Sequence, residues 1–511
     1  MFHSVSGQMP AKAAEGGTLS RREFLELSLA GGGVMLAGNV VLGQSSDLAG
    51  LSVEQASELV RKKSVSPVEL VQECLKRIER LNPVLNAFIT TDPEGSLAQA
   101  RTAQTEIQRG KWRGRLHGIP IALKDNIDTA GMRTTAGSAH FANRIPAQDA
   151  EVVRRLKAAG GVILGKLNMH EFAFGGTSIP SHFGAVHNPW QPDHIAGGSS
   201  GGAAAAVAAG LCYGAIGTDT AGSVRIPAAF CGVVGYKPTY GRVSNRGVIP
   251  LRPSLDHVGP LTRSVADSGL LLQALAGYDP DDITSADVPV PNYGAEALAS
   301  RKVRVRLGVP RRLFYDQLSP DIEKAVDQAL AVLGQFSQST QDVELPELTM
   351  LPVAPTGAEI YAYHANYMAR SPELYQEETL LRLRGTVDVS TPAYIEAINS
   401  MVRLRRAVKK VFATVDLLAT PTMAFPPATI AEAGRVELEM ITKKQLSPLI
   451  RNTVPFNVYG LPTISIPGGC TREGLPIGLQ LSGPPWAEAL VLRLARAYEQ
   501  ATTWNKRPPT W

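Results

Sequence analysis

The sequence is short of cysteine, of charge and of uninterrupted apolar stretches, and each shortage excludes something. Its 511 residues include four cysteines, Cys74, Cys212, Cys231 and Cys470. None sits in a C-x-x-C pair or at a zinc spacing, so neither a disulfide framework nor a structural zinc site is indicated. Cys212 and Cys231 lie among small apolar residues and read as buried thiols, with a bridge left open. The nine histidines form no H-E-x-x-H, and no metal site is expected. Charged residues are 19% of the chain against 44% hydrophobic, enough apolar material for a large core and too little charge for disorder. The formal net charge of +5 is a mild excess spread along the chain, which gives no support to a nucleic-acid partner.

Residues 24–42 are modestly apolar, but Gly31, Gly32, Gly33, Gly38, Glu26 and Asn39 make them a weak membrane span. Just before and into this stretch, Ser20-Arg21-Arg22-Glu23-Phe24-Leu25 resembles the twin-arginine export motif. The expectation is an export signal over 1–43 and a periplasmic or secreted protein, with no stable membrane insertion once the signal is cleaved. The folded domain is then expected over 47–511.

Two helices are predicted first, over 51–63 and 66–80. The second opens at Ser66-Pro67, carries Glu69 in its first turn and Val68, Val71, Leu75 and Ile78 on one stripe, and ends at Asn82-Pro83. Short β-rich runs follow at 118–124, 161–166, 214–219 and 232–237, with helical stretches such as 149–159 between them. This alternation argues for an α/β layered domain. Residues 285–450 carry more charge and longer helical segments, such as 320–338 and 393–416, and are expected to form a peripheral helical region. "LPTISIPGG" (461–469) and "PIGLQLSG" (476–483) return to strand composition and are expected to rejoin the sheet.

Several motifs compete for function. Gly160 to Lys166 reads G-x-x-x-x-G-K, but Leu167 stands where Mg²⁺ coordination needs Ser or Thr, and the interior is strand material. Gly197 to Gly201 matches the G-x-S-x-G elbow of α/β hydrolases, yet no buried strand precedes it, and only His257 and His364 could serve as a later base. The glycine- and alanine-rich run 196–210 has the composition of a slack linker.

A larger constellation decides the matter. "PIALKDN" (120–126) places a lysine at the end of an apolar strand. "GGSSGG" (197–202) and "GTDTAGSVRIPAAFCGVVGYKPT" (217–239) follow. Together these resemble the amidase signature family, hydrolases built on a Ser–cis-Ser–Lys triad. The resemblance covers most of residues 50–270 and returns in "NVYGLPTISIP" and "GLPIGLQL". It implies a single α/β/α domain with a large mixed central sheet, the signature core lying at about 110–262.

The resemblance also implies roles. Ser223 is the expected nucleophile, and Ser199, after a cis peptide bond, relays its proton to Lys124. A lysine can act as base only when neutral, which burial in an apolar pocket favours. Ser200 is expected to support the relay. The backbone N–H groups of Thr220, Ala221, Gly222 and Ser223 correspond to the family's oxyanion hole. Asp219 and Arg225 read as the holders of that turn in preference to direct participants. "MHEFAFGGTS" (169–178) matches the segment lining the acyl pocket, so Phe172 and Phe174 are candidates to touch substrate, with the core as the alternative for either.

The resulting expectation is an exported amidohydrolase that cleaves linear carboxylic amides through an acyl-enzyme, with esters and carbamates within its chemistry. No cofactor and no nucleic acid are expected. The partner is a small-molecule amide, and a homodimer is left open. The alternative is the transamidating subunit of a tRNA-dependent amidotransferase, which shares this signature. The export motif and the absence of expected acceptor-site motifs over 350–400 weigh against it.

Overall fold

The computed structural model describes residues 48–299, 303–347, 355–504 and 509. The expected export signal therefore lies outside the described residues. Helix α1 (Val53–Arg61) begins at Ser52 and α2 (Pro67–Leu85) at Ser66. Each has a reciprocal capping box, to Gln55 and Glu69 respectively. Helix α2 runs past the predicted stop at Asn82-Pro83 and closes at Asn86 in the left-handed conformation. Proline in a last turn forfeits a single amide bond. Asn82 meanwhile ties the exit down by donating to Phe88 O and accepting from Phe88 N.

Eleven strands form one mixed sheet. In chain order they are β1 (Phe88–Thr91), β2 (Pro120–Lys124), β3 (Val162–Leu167), β4 (Gly214–Asp219), β5 (Val234–Lys237), β6 (His257–Thr262), β7 (Val305–Val309), β8 (Ser337–Asp342), β9 (Leu417–Pro421), β10 (Thr463–Cys470) and β11 (Pro476–Ser482). Their spatial order is β1-β3-β2-β4-β6-β5-β10-β11-β9-β7-β8. Strand β2 runs parallel to both β3 and β4, whereas β6, β5, β10, β11 and β9 pair antiparallel in succession. Every residue of β2, β3, β4, β5, β6 and β9 is buried, so helices cover both faces of the sheet. From Asp47 onward the chain is one compact unit.

The predicted strands at 118–124, 161–166, 214–219, 232–237 and in the last fifty residues all form. The 285–450 region is more than peripheral helices: it also contributes β7, β8 and β9, which extend one side of the sheet. These strands escape a periodicity reading for physical reasons. Strand β8 is an exposed edge with one buried residue in "SQSTQD", and β9 is a five-residue segment beside long helices.

Two short helices frame the centre. Helix α3 (Gly201–Ala208) is buried at every position, and its alanines let it lie against the sheet. Gly202 has no room for a side chain, because an added Cβ would lie within 2.5 Å of the Ala87 carbonyl oxygen and closer still to that of Asn168. Helix α4 (Arg225–Cys231) is likewise buried throughout. The run 196–210 is thus a packed turn and helix.

Candidate active site

Parallel pairing puts Leu123 opposite Ile216, so Lys124 leaves the carboxyl end of β2 beside Thr218 at the end of β4. In open α/β sheets this edge is where ligands bind. The Lys124 ammonium group is fully buried. Its Nζ lies 2.7 Å from Ser199 Oγ and 2.8 Å from Thr218 Oγ1. Burial brings its pKa down to about 7, against the pull of Asp219 and Asp256 towards the charged form. The Gly198–Ser199 peptide is cis. Ser200 Oγ donates to Thr218 O (3.1 Å) and accepts from Thr218 N (3.3 Å), while Ser200 N donates to Ser223 O (3.2 Å). Sequence reasoning did not single out Thr218, although it lies inside the quoted "GTDTAGS".

The 168–178 loop grips the serine turn. His170 N donates to Ser199 O (3.2 Å), Gly201 N to Ser178 Oγ (3.2 Å) and Gly202 N to Asn168 O (3.0 Å). On the other side Asp219 is the organiser. Its carboxylate accepts from Gly222 N (2.8 Å), Val224 N (3.1 Å), Arg225 Nε and Nη2 (both 3.0 Å) and Asn457 Nδ2 (2.8 Å). Burial opposes ionisation there, but the Arg225 guanidinium, with Lys237 and Asn457, outweighs it and holds the carboxyl well below the usual range. Arg225 reaches on to Thr453 O (2.9 Å), Gln480 Oε1 (2.9 Å) and Asn457 Oδ1 (2.6 Å). Asp219 and Arg225 thus tie the 219–225 turn to Thr453, Asn457 and Gln480.

This network corrects one expectation. The Gly222 N–H is committed to Asp219 and is not available to an oxyanion. Gly222 sits at φ +129°, and an added Cβ would collide with Thr453 Oγ1, so the residue shapes the turn instead. Among the described residues the N–H groups of Thr220, Ala221 and Ser223 have no hydrogen-bond partner. Thr220, Ala221 and Ser223 also line a cleft of about 240 Å³.

The cleft is also lined by Phe174, Leu251, Arg252, Arg382 and residues within 437–450. Arg382, on α5 (Glu377–Arg384), donates to Glu378 (3.1 Å) and to Glu437 on α6 (Ile430–Thr442). Glu437 in turn accepts from Ser447 Oγ, so this part of the lining is pinned by an ion-pair chain. Its charged members escaped the sequence reading, since they are far apart in the chain and belong to no motif. Phe174 lines the cleft, with the Arg382 guanidinium 6.0 Å from its ring centre. Phe172 does not reach it. It is buried in a cluster with Phe141, His364 and Tyr375, at ring distances of 5.4, 4.5 and 5.7 Å. The alternation of a 3₁₀ turn with left-handed Phe172 turns one ring inward and the other outward.

The competing motifs go elsewhere. Gly160–Lys166 ends in strand β3, where buried Lys166 donates to Ile127 O and Thr134 Oγ1. His364 Nδ1 lies 2.8 Å from Tyr375 Oη in the aromatic cluster, and burial brings its pKa down to about 3. His257 Nδ1 lies 2.6 Å from Leu255 O. Both histidines thus spend their Nδ1 contacts away from the site serines. None of the four cysteines is in a disulfide, and Cys74, Cys212 and Cys231 are buried.

Together, the mixed sheet and the lysine–serine cluster at the carboxyl end of its parallel strands define an α/β enzyme of amide C–N bond cleavage. The family described as Amidase matches residues 69–492, and the chain belongs to it. It is 41% identical over 488 residues to a protein of Geotalea daltonii named as a subunit of glutamyl-tRNA(Gln) amidotransferase, covering 90% of this chain and 99% of that one. A protein of the same name from Moorella thermoacetica is 41% identical over 485 residues, covering 90% and 98%. The solved peptide amidase of Stenotrophomonas maltophilia is 32% identical with a TM-score of 0.76, over 91% of this chain and 99% of that one.

These relatives overturn the expectation of export. They are named for glutamyl-tRNA(Gln), and they match this chain over nearly their whole length. A pair of arginines before a glycine-broken apolar stretch is a short, weak pattern beside a match of that extent.

Proposed function

We propose that the chain cleaves a carboxylic amide through an acyl-enzyme on Ser223. The observation that carries this is the contact of Lys124 Nζ with Ser199 Oγ at 2.7 Å, both fully buried beside the Ser223 turn. Neutral Lys124 takes the Ser199 proton as Ser199 takes that of Ser223. The Ser223 oxygen then bonds to the amide carbon. The N–H groups of Thr220, Ala221 and Ser223 face the developing oxyanion. The relay returns the proton to the leaving nitrogen as the C–N bond breaks, and a water activated by the same pair releases the acid.

Of the two finer readings, the transamidating subunit of a tRNA-dependent amidotransferase has the stronger support, in the names and near-complete alignment of the curated relatives. In that setting the partners are the other subunits and a charged tRNA, and the amine freed at Ser223 is the useful product. Stand-alone hydrolysis of linear amides draws support from the likeness to a peptide amidase.

The deciding experiment measures ammonia release from glutamine, and hydrolysis of aryl, aliphatic and peptidyl amides, by the purified chain. Both are repeated with the remaining subunits of a bacterial amidotransferase and glutamyl-tRNA(Gln). Glutamine cleavage that rises on assembly, with glutaminyl-tRNA formed, establishes the transamidating reading. Full activity alone on simple amides, with no response to the other subunits or to tRNA, replaces it with the hydrolase.

A further inference from the structure

The relay uses one of the two close contacts of Lys124; the other is with Thr218. We infer that Thr218 is a positioning residue, whose hydroxyl oxygen aims the Lys124 lone pair at Ser199 and accepts an N–H of the ammonium formed in each half-reaction. This rests on the proposed role of Lys124.

Hydrogen-bond inventory supplies the reason. A neutral amine has two N–H groups and one lone pair, whereas an ammonium has three N–H groups and none. To take a proton from Ser199 the lone pair must point at Ser199 Oγ, so the N–H groups must find acceptors elsewhere. In a fully buried site an unmet donor is expensive. Thr218 Oγ1, at 2.8 Å, is the acceptor beside it.

Thr218 is itself held from two sides. Asn126 Nδ2 donates to Thr218 Oγ1 and to Ile249 O, both at 3.3 Å. Ser200 Oγ brackets the Thr218 peptide groups at 3.1 and 3.3 Å. The residue following the relay serine therefore fixes the strand that orients the lysine, and the two halves of the relay are set against each other by one short chain of hydrogen bonds. The charged and titratable groups facing Lys124 are Asp219 at the end of β4 and Asp256 before β6, which favour the ammonium, and buried His170 of the 168–178 loop. None of them is altered by a change at Thr218.

Removing the hydroxyl takes away an acceptor that serves the ammonium more than the amine, so the lysine becomes a weaker base. The test is kcat/KM against pH on an activated anilide for the wild type, Thr218→Val and Thr218→Ser. The rate of fluorophosphonate labelling of Ser223 against pH serves as a second readout that needs no turnover. In Thr218→Val the acid limb should move to lower pH by about one unit, the size expected for a hydrogen bond to a charged group. The plateau should fall by roughly ten- to a hundredfold. Thr218→Ser should bring the limb back. If valine disturbs the buried strand, as circular dichroism would reveal, Thr218→Ala carries the same test with less volume.

A limb that stays in place whatever the loss of rate overturns the inference, as does a serine variant whose limb matches that of valine. A wild type with no limb near pH 7, together with Lys124→Ala labelling at the wild-type rate, would instead bring down the role of Lys124 itself.

Discussion

The two walls of the reaction cleft are built by different means. The wall that carries Ser223 is backbone: two tight turns, 197–202 and 219–223, whose shape is set by buried hydrogen bonds to Asp219, Ser178 and Asn168. The other part of the cleft lining is made of side chains on helices α5 and α6 and the loop after them, tied by the chain Glu378–Arg382–Glu437–Ser447. A wall of turns can present N–H groups only in one way, so it suits chemistry common to a family. A wall of side chains can change residue by residue without disturbing the turns, so it suits the choice of substrate. The comparison predicts that the first wall controls turnover and the second controls affinity.

The largest effect should come from Ser223→Ala, which is expected to abolish both turnover and labelling by a fluorophosphonate. Ser199→Ala should still label slowly at Ser223, and the double variant should be about as slow as Ser223→Ala alone, because members of such a unit do not add. Mass spectrometry should find the adduct on the peptide containing Ser223. An adduct on Ser199 would reverse the relay.

Next is Lys124. On the proposed mechanism the active form is the neutral amine, and burial brings the Lys124 pKa down to about 7, so the rate should rise with pH through about 7 and then level off. Lys124→Ala should lose roughly a thousandfold or more in turnover while keeping its far-ultraviolet circular dichroism. An acid optimum, or a mild effect of this substitution, would contradict a neutral lysine base.

A third pair sharpens the split between core and cleft. Phe172→Ala removes a ring from the buried aromatic cluster and should lower stability by about 3–5 kcal/mol in denaturant titration. Phe174→Ala should leave stability nearly unchanged and alter KM instead. The opposite pattern would mean that the two rings had exchanged roles.

The smallest change in turnover is expected on the side-chain wall. Arg382→Met leaves Glu437 without its cation, and Glu437→Gln keeps the shape while removing the charge. Each should shift KM by several-fold, differently for charged and neutral amides, with kcat within about tenfold of the wild type. Equal losses of kcat on every substrate would show that this wall takes part in the chemistry, and the comparison would fail.

How much of the molecule is legible in one dimension follows the same division. The six strands with apolar, β-rich composition are visible, and so are Lys124, Ser199, Ser200 and Ser223, because each lies in a short segment whose local pattern is distinctive. Asp219 and Arg225 read as holders of the turn, and in the structure Arg225 donates to the Asp219 carboxylate through Nε and Nη2. Misplaced is Gly222, whose N–H is claimed by a side chain three residues away, while Phe172, left open between cleft and core, takes the core position. Five strands are missed: β1 and β6, which carry no run named in the sequence, and β7 to β9 within the helical region 285–450. The export reading gives too much weight to a six-residue pattern.

By itself, the sequence determined the class of fold and, through its resemblance to a known family, the class of chemistry to expect. Turn glycines and strand composition are local properties that survive in one dimension, and the serine–lysine chemistry is what the resemblance to the amidase signature family implies. Only the tertiary structure decided which N–H groups remain free, which aromatic ring meets the cleft, and that Thr218, Asn457, Arg382 and Glu437 belong to the site. Those facts depend on which distant groups compete for a given donor or a given volume. Such competition is settled when β2 and β4 lie side by side and residues around 220, 380 and 450 come together.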